Sequence, residues 1–214
     1  MKIFFLPEEI KGLVFDIDMT LYRNKEYYKD QKNLLVQKLA EKHNKSFIRM
    51  LEEIDSFQES YSKKNNGKKI SLGNLFINYG VSIKQSCNWR TELFNPEKYL
   101  SKDIKLINTL SILKECFSLA CITNNTEIIA KRTLSTLGIT AFFPIIIGLD
   151  RTLLSKPNIK PFNIVSEELG ISLSNMISIG DRFEVDIEIP VEFCMGGILV
   201  ESMEDVYNLP DVLI

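Results

Sequence analysis

Histidine is all but missing from this chain: His43 stands alone among 214 residues. That scarcity excludes a two-histidine metal site and argues against a serine–histidine–aspartate triad. Cysteine is sparse as well. Cys87, Cys116, Cys121 and Cys194 are scattered, with no C-x-x-C pair, so a thiolate zinc site is not expected. Cys116 and Cys121 lie in apolar surroundings and read as small buried side chains. No run of about eighteen apolar residues occurs anywhere, which leaves no candidate membrane span. The apolar opening MKIFFL meets Pro7, Glu8 and Glu9 too early to form a signal peptide. The protein is therefore expected in the cytoplasm, without a membrane partner. An excess of charge is lacking too. The 26 Lys and Arg nearly balance the 28 Asp and Glu, and the net charge of −2 supplies no field that favours nucleic acid. The lysine-rich stretch Lys63–Lys69 reads as a solvated loop. Carboxylates, lysine and hydroxyls are left to carry any chemistry.

What is present is an alternation. Short apolar runs at Leu13–Phe15, Ser118–Ile122, Ile145–Ile147, Met176–Ile179 and Ile198–Val200 end in polar or glycine punctuation and read as buried parallel strands. Helical spacing lies between most of them. Ile104, Ile107, Leu110 and Leu113 recur every three residues; Ile129, Thr133, Leu134 and Leu137 precede Gly138; Phe162, Val165 and Leu169 precede Gly170. Strand alternating with helix predicts an α/β fold, a doubly wound parallel sheet covered on both faces. The interval from Asn24 to about Tyr99 breaks the rhythm, because it holds helical patterning and no convincing strand. It is too long for a loop. The expected organisation is a core from residues 1–22 and 100–214, with a helical insertion over residues 23–99 above the carboxyl edge of the sheet.

Four polar clusters fall at four strand ends. In FDIDMTLY, Asp16 and Asp18 are two apart and face one side of an extended chain. Two such charges about 4 Å apart repel by roughly 4 kcal/mol at an effective dielectric near 20. The pair therefore needs a cation, a shared proton or solvent, and a pair of helix-capping aspartates in a solvated turn is the plainer reading. Thr123-Asn124-Asn125-Thr126 is either a phosphate cradle at a helix N-terminus or an ordinary N-cap. Lys156, in Ser155-Lys156-Pro157, could neutralise a phosphate or a carboxylate, and Lys160-Pro161 competes with it. Gly180-Asp181 ends another strand, with Asp186 about a helical turn beyond, and Asp181 could also be a cap.

The joint order of these clusters resembles the haloacid dehalogenase-like hydrolase superfamily. FDIDMTLY is similar to its first motif, CITNN to its second, SKPNIKPF to its third and IGDRFEVD to its fourth. The resemblance runs from Gly12 to Val200, with the insertion in the place of that superfamily's helical C1 cap (subfamily I). FDIDMTLY followed by Arg23 also resembles the pyrimidine 5'-nucleotidase-like branch. The resemblance implies a magnesium-dependent phosphatase acting on a small phosphorylated metabolite. Asp16 would attack phosphorus and form an aspartyl-phosphate, and Asp18 would protonate the leaving alcohol and activate water. Mg²⁺ would be held by Asp16, the backbone carbonyl of Asp18, and Asp181, with Thr20 and Asp186 behind them. Thr123 and the N–H of Asn124 would hold phosphoryl oxygens, and Lys156 would balance charge. The aspartate at position 18 argues for phosphoryl chemistry over dehalogenation, since halide leaves without a proton. A phosphosugar mutase and a catalytically silent binding protein share the same pattern. The sequence departs from the family at Met19, where glycine is frequent, and at Val191–Met195, where small residues are common. Tyr61, Phe76, Tyr79 and Trp89 of the insertion are candidates for substrate contact or for core packing.

Overall fold

The computed structural model describes residues 1–214 apart from residues 66 and 69. Six strands form one sheet: β1 (Lys2–Phe5), β2 (Gly12–Phe15), β3 (Ser118–Ile122), β4 (Ile145–Ile147), β5 (Met176–Gly180) and β6 (Gly196–Leu199). Their order is β1-β6-β5-β2-β3-β4, and every neighbouring pair is parallel except β1 with β6. The chain therefore winds from β2 outward through β3 and β4, then returns to the other side for β5 and β6. The carboxyl ends of β2, β3 and β5 flank this reversal, where open α/β sheets form a ligand crevice. The parallel doubly wound sheet expected from the sequence is present. The edge strand β1 was not anticipated: four residues before Pro7 look too short and too close to the terminus, and only the pairing with β6 makes them a strand.

The helices are α1 (Lys25–Lys42), α2 (Phe47–Lys64), α3 (Leu72–Ile77), α4 (Ile83–Leu93), α5 (Ile104–Cys116), α6 (Glu127–Leu137), α7 (Leu149–Thr152), α8 (Lys160–Leu169), α9 (Glu188–Glu192), α10 (Met203–Tyr207) and α11 (Leu209–Leu213). The β2 side chains divide by the period-2 rule. Leu13 and Phe15 pack with Leu106, Leu110 and Leu134 of α5 and α6. Val14 faces the other way, toward Phe162 and Val165 of α8. Both faces of the sheet are thereby covered, which accounts for strands that read as unbroken apolar runs. Gly138 and Gly170 stop α6 and α8 in the left-handed conformation, as their positions in the sequence suggested.

Helices α1–α4 lie between β2 and β3 and carry an apolar cluster of their own, including Leu39, Met50, Ile54, Phe76 and Trp89, joined to the sheet side by Ile129 of α6. Phe76 is 0% and Trp89 7% exposed, so these two aromatics are packing residues. Lys63 and Lys64, read as part of a solvated loop, form the last turn of α2, where cations suit the helix dipole. The remainder of that expectation touches residues 66 and 69, which lie outside the described residues. Cys116 is exposed, contrary to the sequence reading, because it ends α5 where the stripe of Leu106, Leu110 and Leu113 has turned away from solvent; Cys121 in β3 is buried as expected. Among the described residues, no helix is long and apolar enough to cross a membrane. Phe76→Ala should cost about 3–5 kcal/mol of stability, from lost transfer energy plus a cavity, read by urea denaturation. A loss of ligand affinity with an unchanged denaturation midpoint would instead place Phe76 in a binding site.

Candidate active site

Asp16 is the first residue beyond β2, Thr123 the first beyond β3 and Asp181 the first beyond β5. Lys156 comes from the segment between α7 and α8 and reaches back under the other three. Its ammonium donates to Asp16 Oδ1 at 2.7 Å, to Asp186 Oδ1 at 2.7 Å and to the carbonyl oxygen of Ile122 at 3.0 Å. All three of its protons are used. Burial alone would depress this lysine, yet the two carboxylates hold its pKa above the ordinary value. Lys160, the competing candidate, is exposed at the start of α8.

Asp16 is 5% exposed, and its second oxygen accepts from the Thr20 hydroxyl at 3.1 Å. Burial pushes its pKa up to about 7 against the pull of Lys156, with Asp186 and Asp181 adding to the rise. Asp181 is raised as well, chiefly by burial, opposed by Arg182 and reinforced by Asp186. Carboxylate oxygens of Asp16, Asp181 and Asp186 lie within 4.8 Å of one another. Asp181 Oδ1 is buried without a hydrogen-bond partner among the described residues, and the Arg182 Nε lies 3.6 Å away. Three carboxylates share this place with one fully paired lysine and the neighbouring Arg182, and the orphaned Asp181 oxygen is compatible with a bound cation. A hard divalent ion with oxygen ligands suits this donor set. Asp186 has both oxygens engaged, one by Lys156 and the other by the Arg182 N–H at 3.2 Å, while its own backbone carbonyl accepts from Ser178 Oγ at 2.6 Å.

Asp18 stands apart from that cluster and faces the cavity. Its Oδ1 accepts from Tyr22 OH at 2.5 Å and Gln31 Nε2 at 3.3 Å, and its Oδ2 from Asn125 Nδ2 at 2.9 Å and Thr123 Oγ1 at 3.3 Å. Met19, directly after it, has φ of 64°. The chain thus holds a side chain in the left-handed region where glycine is usual, at a cost of about 1 kcal/mol. Asn124 clamps the lysine segment through its side chain, accepting from the Lys156 N–H at 2.7 Å and donating to the Lys156 carbonyl oxygen at 3.3 Å. The helix N-terminus beyond it is not capped by Thr126. Asp150, from α7, accepts from the Glu127 N–H at 2.9 Å instead. The structure therefore gathers Asp16, Thr20, Lys156 and Asp186 into one buried group with the half-buried Asp181 beside them, and Asp18, Thr123 and Asn124 lie next to it.

Other polar groups meet Asp18 in ways the sequence does not indicate. Tyr22 and Asn125 belong to the quoted motifs, but their contact with Asp18 emerges only in the fold. Gln31 of α1 and Arg90 of α4 come from helices of the insertion, where a single polar residue on a helical stripe looks like any surface position. With Asn124, Ser155 and Arg182 they line a cavity of about 370 Å³ between the inserted helices and the sheet edge. Of the insertion's aromatics named above, none lines it.

A family model for haloacid dehalogenase-like hydrolases matches residues 13–189, and the chain belongs to that family. A phosphoglycolate phosphatase of Neisseria meningitidis is 40% identical over 73 residues, covering 34% of this chain and 31% of that protein. The match thus spans about a third of the length of that relative. Two solved structures share the fold at 18% identity, each aligning 95% of this chain with 98% of the other: a HAD phosphatase from Thermococcus onnurineus, with a TM-score of 0.61, and a 2-haloacid dehalogenase from Pseudomonas syringae, with a TM-score of 0.62. One is named as a phosphatase and the other as a dehalogenase, so fold likeness does not choose between the two chemistries.

Lys156→Met should destabilise the protein by about 3–5 kcal/mol in metal-free buffer, because Asp16 and Asp186 would be left buried without their cation. Chemical denaturation measures this, and a change below 1 kcal/mol would show that the two carboxylates accommodate its loss. Gly180→Ala tests the packing behind the same group. A Cβ there would meet the Asp186 Cβ at 2.3 Å and its Cγ at 2.6 Å, so Asp186 must move off Lys156. The substitution should lower both the melting temperature and any cation affinity seen by calorimetry.

Proposed function

We propose that this protein is a magnesium-dependent phosphatase that hydrolyses a small phosphomonoester through an aspartyl-phosphate on Asp16. The observation that carries the reading is the placement of two carboxylates with opposite circumstances at one strand end. Asp16 is buried, oriented by Thr20 and Lys156, and set against the acidic cluster. Asp18 is turned to the cavity, among neutral donors. This contrast supports Asp16 as the nucleophile and Asp18 as the proton carrier.

In the first step an oxygen of Asp16 bonds to phosphorus as the ester P–O bond breaks, and Asp18 delivers its proton to the departing alkoxide. In the second, Asp18 takes a proton from water as that water bonds to phosphorus, and the Asp16–phosphorus link breaks to release inorganic phosphate. Thr123 and the backbone N–H of Asn124 would hold phosphoryl oxygens, and Lys156 would offset charge on Asp16 and the phosphoryl group. Mg²⁺ bound by Asp16, Asp181 and the backbone carbonyl of Asp18 would supply the positive charge that keeps Asp16 ionised and screens the incoming phosphate. Thr20 fixes the rotamer of Asp16, and Asp186 fixes Lys156. Residues 23–99 act as a cap over this edge of the sheet, and Gln31 brings the cap into contact with Asp18.

Release of phosphate from an aryl phosphate should require Mg²⁺, stop with chelator and return on adding the ion. Asp16→Asn should lower kcat by about 10⁴-fold or more. Asp18→Asn should cost about 10²–10⁴-fold, and less for an aryl ester with a good leaving group than for an alkyl ester that needs the proton. Unchanged turnover in Asp16→Asn would overturn the assignment of the nucleophile.

A further inference from the structure

Arg90 of α4 is a buried cation with no acidic side chain among its hydrogen-bond partners, although the Asp18 carboxylate lines the same cavity and supports its charge. It is 6% exposed, and its hydrogen bonds run only to the carbonyl oxygen and hydroxyl of Ser86, one turn back on the same helix. Among the described residues, no Asp or Glu oxygen lies within 4.0 Å of its guanidinium. Burial holds its pKa below the ordinary arginine value, though an arginine remains charged. A buried charge in this condition costs folding free energy, and such groups are ordinarily paired. Both bonds come from Nη1, so the other face of the guanidinium fork keeps donors to spare. The side chain lines the cavity that also holds Asp18, Asn124 and Asn125. Lys32, a second cation on this wall, is engaged with Asp55 at 2.9 Å, and Arg182 faces Asp181 at 3.6 Å. Arg90 is thus the cation on this wall without an acidic partner among the described residues.

We propose that Arg90 is the specificity-determining residue of this pocket, pairing with a carboxylate carried by the leaving-group alcohol, so that the preferred substrates are small phosphorylated hydroxy acids. This rests on the phosphatase reading above. The fork geometry of arginine matches a carboxylate with two parallel N–H···O bonds. Asp18 shares the cavity with Arg90, and its negative charge opposes a dianionic second phosphate more strongly than a singly charged carboxylate. The cavity, about 370 Å³, is at the small end of ligand sites, which suits a small ester. An arginine that merely braced Ser86 would need neither the opening toward the cavity nor the unused donors.

The test compares 2-phosphoglycolate with 2-hydroxyethyl phosphate, which keeps the phosphate and chain length but replaces the carboxylate by a neutral group. Binding is measured by calorimetry in Mg²⁺ buffer on the Asp16→Asn protein, which does not turn over. The carboxylated ester should bind about 10–100-fold more tightly than the neutral one. Adding Arg90→Met should remove that difference while leaving the neutral ester within about threefold; Arg90→Lys should retain part of it. The melting temperature of the ligand-free Arg90→Met protein should not fall. Equal binding of the two esters before the Arg90 change overturns the proposal. So does an equal loss for both in Arg90→Met with a lower melting temperature, which marks a structural arginine. Aryl phosphate turnover by the unaltered protein is run in parallel. If it is present without carboxylate preference, only the role of Arg90 falls; if it is absent while carboxylate-dependent binding persists, the phosphatase reading falls and Arg90 stands.

Discussion

The ammonium of Lys156 is the point on which the sheet edge closes. Its three donors go to the residue after β2, to the last residue of β3 and to Asp186 beyond β5. A single buried cation thus ties together the ends of the three strands that flank the topological reversal. Each bond depends on the others: without Asp186 the lysine would have a free donor in an apolar place, and without the lysine two carboxylates would share a site with no compensation. Asn124 adds a backbone clamp on the lysine segment from the β3 side. The segment between α7 and α8 carries little regular structure near Lys156, so side-chain bonds do the work that a strand or helix would do elsewhere.

This arrangement satisfies the lysine but not the acids. Asp16, Asp181 and Asp186 bring three negative charges, Lys156 returns one, and Arg182 is partly exposed beside them. Asp16 is raised to about 7, first because burial disfavours its charge and then because two neighbouring acids oppose the ammonium at 2.7 Å. A group in that state gives up part of its charge at neutral pH unless another cation arrives. The local packing prevents relief by separation: Gly180 brings the chain so close to Asp186 that even a methyl would collide, and Ser178 pins the backbone of Asp186 from below. The acids are held together by the fold rather than by any attraction among themselves.

Much of this was readable in the sequence because it is local. Strand ends announce themselves where an apolar run stops, and Asp16, Thr123 and Asp181 each follow such a stop by one residue. Lys156 could not be told from Lys160 by pattern; burial distinguishes them, and burial is a property of the whole fold. The edge strand β1 escaped because its evidence is its partner β6, nearly the full chain length away. Phe76 and Trp89 illustrate the converse error open to sequence reading. Aromatics in an inserted segment invite a binding role, yet three-dimensional placement puts them in a core and leaves Gln31 and Arg90 at the cavity. Helical periodicity reports which face is apolar. It does not report which of the polar residues beside that face meets an active-site mouth.

The two buried cations, Lys156 and Arg90, are opposites in a way that bears on how such a site is built. Lys156 has every proton committed to groups of its own chain, so nothing that enters the cavity can bind it without breaking a bond already made. Its charge shapes the site before any ligand arrives, which is the condition for electrostatic preorganisation. Arg90 pays the same desolvation with only neutral partners. That cost is tolerable if a ligand repays it, and a residue that destabilises the free protein while favouring the occupied one is the usual mark of a site selected for binding. The buried lysine is bonded to Asp16 at the sheet edge and does not line the cavity, whereas the buried arginine faces the cavity from the inserted helices with donors unused. The core motifs follow strand ends and could be read residue by residue, whereas the insertion's polar residues reach the cavity only through tertiary packing and could not.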